Sequence, residues 1–257
     1  MSASVPQKRV LVVTGSSSGI GQAIASAFLS LGDYCVLQGN RHFDSIKLFA
    51  SEFAVEQTLA LKSDFRDPAS VMKLVDDAFA WHGYVDVWIH AAGADVLTVN
   101  ADADFETKLE ELWQVDVRGT ILGCRRVAEK MQKQPQRDSL PTILTIGWDQ
   151  SSSGMEGDSG QMFSATKSAV ESFTKSLAKT VGPKIRVNCI SPGWIQTAWG
   201  EKASPHWDRR ARGESSLGRW GTPQDIAEAA IFLASPQASF INGQIIAING
   251  GWKPAWP

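Results

Sequence analysis

Apolar residues in this chain come in two rhythms. Short continuous runs recur at Val10 to Val13, Tyr34 to Gln38, Gln57 to Lys62, Val85 to Ile89, Thr142 to Ile146, Lys184 to Ile190 and Gln244 to Ile248. Runs of this kind, closed by Gly, Pro, Asn, Asp or Ser, read as strands covered on both faces. Between them apolar positions return at helical spacing, as with Ala23, Ile24, Ala27, Phe28 and Leu31 in the segment Gln22 to Leu31. Further helices are predicted over Phe43 to Phe53, Pro68 to Trp81, Asp104 to Gln134, Gln161 to Val181 and Thr222 to Leu233. Asp67-Pro68 and Thr222-Pro223 are helix starts, a capping residue followed by a proline in the first turn. A kink is expected at Gly119, and Trp194 to Gly218 shows no clear period. Strands that alternate with helices predict an α/β fold with a parallel sheet and right-handed crossovers. With no repeat or linker visible, residues 1–257 read as a single domain.

Composition narrows the function classes. Hydrophobic residues make up 43% and charged residues 20%, enough apolar material for one sizeable core. A net charge of −2 gives no field that would favour nucleic acid or an anionic membrane. Cys35, Cys124 and Cys189 are far apart and lack metal spacing, so they read as reduced thiols of a cytoplasmic protein. His42, His82 and His206 have no partners at ligand spacing, so no metal is expected. The N-terminal stretch lacks the apolar core of a signal peptide, and no run is long enough to span a membrane. Ten tryptophans are many, and Trp194, Trp199, Trp207, Trp220, Trp252 and Trp256 crowd the last quarter.

The first strand runs into Thr14-Gly15-Ser16-Ser17-Ser18-Gly19-Ile20-Gly21, and a helix follows. Glycines permit a tight turn and a close ligand approach, while the helix N-terminus offers free N–H groups to an anion. The spacing is G-x-x-x-G-x-G rather than the commoner dinucleotide pattern. Ligands of such sheets bind beyond the carboxyl ends of the strands. Asn40-Arg41, Asp64, Ala91-Ala92-Gly93, the 147–160 loop and Pro192-Gly193 all fall at that edge.

With these pieces stand Phe163-Ser164-Ala165-Thr166-Lys167, Arg186-Val187-Asn188, Thr197, Arg219-x-Gly221-x-Pro223-x-Asp225-Ile226-Ala227 and Asn249-Gly250-Gly251. From Val10 to Gly251 the chain resembles the classical short-chain dehydrogenase/reductase family. The resemblance implies a doubly wound, Rossmann-type parallel sheet of about seven strands with helices on both faces. It implies a nicotinamide cofactor, a small-molecule substrate and a homo-oligomer, usually a tetramer. It places Gly15, Ser17, Ser18, Gly19, Ile20, Gly21, Asn40, Arg41, Asp64, Phe65, Ala91, Ala92, Gly93, Lys167, Pro192, Gly193, Ile195 and Thr197 at the cofactor. The end of the second strand carries Arg41 and no acid before Asp44. An acid there would accept from a ribose 2′-hydroxyl, whereas an arginine accommodates a 2′-phosphate. NADP is therefore expected over NAD.

The family's catalytic set is Asn, Ser, Tyr and Lys, and only Lys167 of it is kept. The Tyr position is Phe163, which has no hydroxyl and cannot act as an acid or base. The Asn position is Asp116. The Ser position is Trp148 counted from the preceding strand, or Gln150 counted back from Phe163. Candidate substitutes as proton donors are Asp149, then Glu156 and Asp158, since a carboxyl desolvated beside tryptophan can titrate near neutrality. Ser151 is a candidate for orienting substrate, and Trp148, Trp194 and Trp199 for an aromatic wall. His90 reads as structural or as a cofactor contact. The expected activity is NAD(P)(H)-dependent oxidoreduction of a small carbonyl, alcohol or imine with non-standard proton transfer. A cofactor-binding protein without turnover and a lyase or isomerase reusing the cleft are the alternatives.

Overall fold

A computed structural model describes residues 8–253. Seven strands form one parallel sheet: β1 (Val10–Thr14), β2 (Tyr34–Gly39), β3 (Thr58–Lys62), β4 (Val87–His90), β5 (Thr142–Ile146), β6 (Arg186–Pro192) and β7 (Ile245–Ile248). Their order is β3-β2-β1-β4-β5-β6-β7. The chain therefore winds outward one way from β1 and the other way from β4. The crevice between β1 and β4 is the switch point where such sheets bind ligands.

Helices cover both faces, and the pleat explains how. Successive side chains of a strand point to opposite sides. Val10 and Val12 join one core with Leu74 of α3 (Pro68–His82), Val127 of α5 (Thr120–Met131) and Leu177 of α6 (Gly157–Val181). Leu11 and Val13 join the other with Phe28 of α1 (Gly19–Ser30), Ile46 of α2 (Phe43–Ala50) and Ile226 of α9 (Pro223–Leu233). Every residue of β1 is buried, which is why its sequence is a continuous apolar run without alternation.

The predicted helix starts hold. The Asp67 side chain accepts from Ala69 N–H at 2.9 Å, and Thr222 and Asp225 form a reciprocal capping box on α9. Three details differ from the sequence expectation. The stretch from Asp104 is α4 (Phe105–Leu112), then a π-helix Trp113–Gly119, then α5, so the break expected at Gly119 is a widened segment seven residues long. Helix α6 starts at Gly157, ahead of the expected Gln161, and its Gly160 packs directly on the Met155 backbone, where a Cβ would come within 2.1 Å of the carbonyl oxygen. The stretch without a clear period holds α7 (Ala198–Glu201) and α8 (Pro205–Glu214). Helix α8 buries only Ala211 and Glu214, so it has no apolar stripe to betray it. Trp256, in the crowded tail, lies outside the described residues.

Candidate active site

The first strand and its glycine loop build a cradle. Thr14 Oγ1 accepts from the N–H groups of Ala91 and Ala92 at 3.1 and 3.0 Å, which ties the ends of β1 and β4 together. Gly15 sits at φ 67°, and a Cβ there would lie 2.7 Å from Ala92 Cα. A Cβ on Gly21 would lie 2.3 Å from the Gly15 carbonyl oxygen. Only glycine permits this approach of helix, loop and strand. Helix α1 begins without a side-chain cap from Ser18 and with no acid in its first turn. Its N–H groups thus remain available for an anion. Ser17 stands beside Gly39 at the end of β2, and Ile20 packs inward on the α1 side of the core. Gln38, which the sequence did not single out, is buried and bridges the loop: its Oε1 accepts from Gly15 N–H and its Nε2 donates to Ser63 O. The cradle fits the pyrophosphate of a dinucleotide.

At the adenosine end, the Asp64 carboxylate receives Nε and Nη2 of Arg66, with Nη2 at 2.6 Å. Those hydrogen bonds hold its carboxyl down to about 2. Arg41 points to Glu111 of α4, Nη2 to Oε1 at 2.8 Å. Phe65 turns its ring away from Asp64. Its side chain is buried, edge-on to His90 at 4.8 Å and tight against Gly119, which leaves its backbone as the part that could meet a cofactor. His90 is buried as well, and neither ring nitrogen has a partner among the described residues. Burial, helped by the charge of Lys167, pushes its imidazole down to about 3, so it stays neutral at ordinary pH.

At the other end, Lys167 Nζ lies 2.9 Å from Asp116 Oδ2 and donates to Ile146 O at 3.3 Å. The second oxygen of Asp116 accepts from Ala94 N–H at 2.8 Å. Asp116 belongs to the π-helix, a feature that recurs at functional sites. Phe163 is one helical turn before Lys167 and shares its face. It is half-buried, packs with Val96, Leu112 and Met162, and has the Trp148 ring 6.3 Å away. Between the two readings of the serine position, this contact favours Trp148. Gln150 is buried and turned to Glu214, and Ser151 donates to Glu171 Oε2 at 2.6 Å. Ser151 is thus anchored in the fold rather than presented to substrate. Glu171 also takes the Ser191 hydroxyl, so it organises the ends of β5 and β6 from inside α6. Past β6, Gly193 abuts Asn249 and the Ile195 side chain enters the core. The Thr197 methyl comes within 3.4 Å of where Gly19 would carry a Cβ, which closes the cleft from β6 back to α1.

The three candidate acids separate. Glu156 is exposed and paired with Arg210, and Asp158 is exposed. Asp149 accepts from Asn249 Nδ2 at 2.9 Å, while its other oxygen is buried without a partner among the described residues. Burial, with the nearby Glu214 charge adding, pushes its carboxyl up from 3.8 to about 6. The folded protein therefore holds this proton at pH values where the unfolded chain has lost it. The resulting stabilisation is complete below about pH 4 and is lost as pH rises through about 6. Asp149→Asn should gain stability over the parent as pH rises from 4 to 7, by about 1–2 kcal/mol. Urea midpoints at both ends of that range test this, and an equal difference at the two would refute it.

The aromatic residues form two groups rather than one wall. Trp148 pairs with Phe163, whereas Trp194 and Trp199 join Trp207 and Trp220 at centroid distances from 5.7 to 6.2 Å. Trp194 Nε1 donates to the buried Glu214 at 2.7 Å, and the Arg210 guanidinium lies over Trp194 and Trp207. Arg210 and Glu214, neither singled out in the sequence, thus hold α8 onto the β6 edge. Two cavities, of about 390 and 510 Å³, are both lined by Gln196, the smaller bordered by Trp220 and the larger by Gly19 and Thr197. Among the described residues no group of three or more His, Cys, Asp or Glu could hold a metal. No helix there is long and apolar enough to cross a membrane.

Residues 15–253 match the family model described as enoyl-(acyl carrier protein) reductase. The 3-oxoacyl-[acyl-carrier-protein] reductase of Aquifex aeolicus is 31% identical over 255 residues, covering 95% of this chain and 97% of that one. The chain belongs to the short-chain dehydrogenase/reductase family. A short-chain dehydrogenase/reductase of Brucella melitensis superposes with a TM-score of 0.84 at 29% identity, covering 96% of this chain and 97% of that one. A 7α-hydroxysteroid dehydrogenase complexed with NADH superposes with a TM-score of 0.83 at 27% identity, covering 95% and 94%. Like its family, the chain is an NAD(P)-binding oxidoreductase.

Proposed function

We propose that this short-chain dehydrogenase/reductase prefers NADP(H) and works on a small carbonyl, alcohol or imine without a tyrosine as proton donor. The observation that carries the reading is Phe163, one turn before Lys167, with Trp148 across from it. When bound, the nicotinamide supplies or accepts the hydride. The residues of the chain bind and orient. The glycine cradle and the α1 N-terminus take the pyrophosphate. Lys167, fixed by Asp116, is placed to hold the nicotinamide ribose. Phe163 and Trp148 present ring faces where hydroxyls would otherwise stand. Ring faces attract cations, so a positively charged C=N substrate, which needs no proton at the receiving atom, suits the site better than a ketone. A ketone needs a donor, and Asp149, with its raised carboxyl, is the candidate.

The test is calorimetry with each dinucleotide, followed by NADPH consumption over matched ketones and cyclic iminium ions. Arg41→Ala should weaken NADPH binding selectively, because the arginine fork pairs with the 2′-phosphate. Equal loss for NADH would remove that assignment. Turnover of neither substrate class by a chain that binds NADPH would end the catalytic reading. The same surface that carries α4 supports a homo-oligomer, a tetramer by family habit. Phe105 and Trp113 are 39% and 47% exposed there, large apolar groups for a free surface. A monomer in sedimentation at micromolar concentration would count against it.

A further inference from the structure

The end of β2 lacks the acid that selects NAD, yet an acid stands beside Arg41. It comes from α4. Glu111 is anchored, its side chain only 12% exposed, with one oxygen on Arg41 and the other taken by the Asn100 amide. Arg41 is the more exposed member, with 41% of its side chain open to solvent. Arg66 also feels the Glu111 charge, although its guanidinium is committed to Asp64. The basic group available to a 2′-phosphate is thus already paired with a carboxylate that is itself held by Asn100.

We propose that Glu111 sets the cofactor preference by competing with the 2′-phosphate for Arg41. This rests on the reading of the cleft as an NADP(H) site. A phosphate arriving at Arg41 must share or displace Glu111 and tolerate its negative charge at close range. A ribose 2′-hydroxyl is neutral, carries a proton to donate and meets no such opposition. Glu111 therefore supplies from a helix the discrimination that an acid on β2 gives elsewhere, and it narrows the preference that Arg41 creates.

Glu111→Gln is the test, because the amide oxygen can still accept from Asn100 while the charge is gone. Calorimetry with NADP⁺ and NAD⁺ on the whole chain reads it. Binding of NADP⁺ should tighten by about fivefold or more, and binding of NAD⁺ should change by less than about twofold. The gain should shrink when Arg41 is already alanine, since no guanidinium is left to release. An unchanged ratio of the two affinities, weaker NADP⁺ binding in Glu111→Gln, or the same gain in the Arg41→Ala background would each overturn the proposal. If the parent binds neither dinucleotide, the reading of the cleft fails instead. NAD⁺ binding by the variant shows that the site has folded.

Discussion

Phe163→Tyr should turn on ordinary ketone reduction. The substitution places a phenol one turn from Lys167, on the same face of α6. A nearby ammonium favours the phenolate and so lowers the barrier to proton exchange. General acids contribute about 10²–10⁴ in rate. The gain here should sit near the lower end, about tenfold or more over the parent, for two reasons. Trp148 offers no hydroxyl to orient the substrate oxygen, and Asp116 already neutralises much of the Lys167 charge. NADPH consumption with a simple ketone reads the effect. The rate with a preformed N-alkyl iminium should stay within about twofold, because that substrate has no use for the new proton. A parent that reduces ketones as fast as Phe163→Tyr would show that a donor is already in place. Asp149→Asn then identifies or eliminates Asp149 as that donor.

Asp116→Ala should be among the most destabilising single changes in the cleft. Lys167 and Asp116 are 14% and 3% exposed, so the pair is nearly dry. Removing one partner leaves a charge in a poorly solvated place and leaves the Ala94 N–H without its acceptor. Breaking a buried pair in this way costs about 3–5 kcal/mol. The Ile146 carbonyl still receives the lysine, so a loss of about 3 kcal/mol is expected. Asp116→Asn leaves the same charge unpaired but keeps an acceptor for Ala94, so it should lose less than Asp116→Ala by about the 1 kcal/mol of that hydrogen bond. Urea unfolding at pH 7 separates the two. A loss below 1 kcal/mol for both would mean that the ion pair contributes little to holding the π-helix against α6.

The sheet was legible because burial on both faces leaves a strong trace. Val10 to Val13 is apolar without interruption and Thr142 to Ile146 nearly so, and each became a strand within a residue of its expected end. The glycine loop was legible because close backbone approach leaves only glycine at Gly15 and Gly21. The rest of the site was harder for a physical reason. Glu111, Glu171 and Glu214 are acids on helices, where the usual reading is a solvated face. Only the tertiary fold shows that one holds Arg41, one holds two serines and one holds Trp194 and Arg210. The inward turn of the Phe65 ring was equally hidden, because it depends on the space left under Gly119. Helix α8 could not be read at all, because it is held by stacked indoles and charged pairs rather than by an apolar stripe.

Those indoles carry a consequence of their own. Trp194, Trp199, Trp207 and Trp220 come from the β6 exit, α7, α8 and the turn before α9, and they meet within one small volume. Chromophores at such separations share their excited states, so the group absorbs circularly polarised near-ultraviolet light as a coupled unit rather than as four independent rings. The strength of that signal depends on the mutual angles of segments that are adjacent only when α8 is seated. The protein thus contains its own spectroscopic gauge of α8, readable without any label.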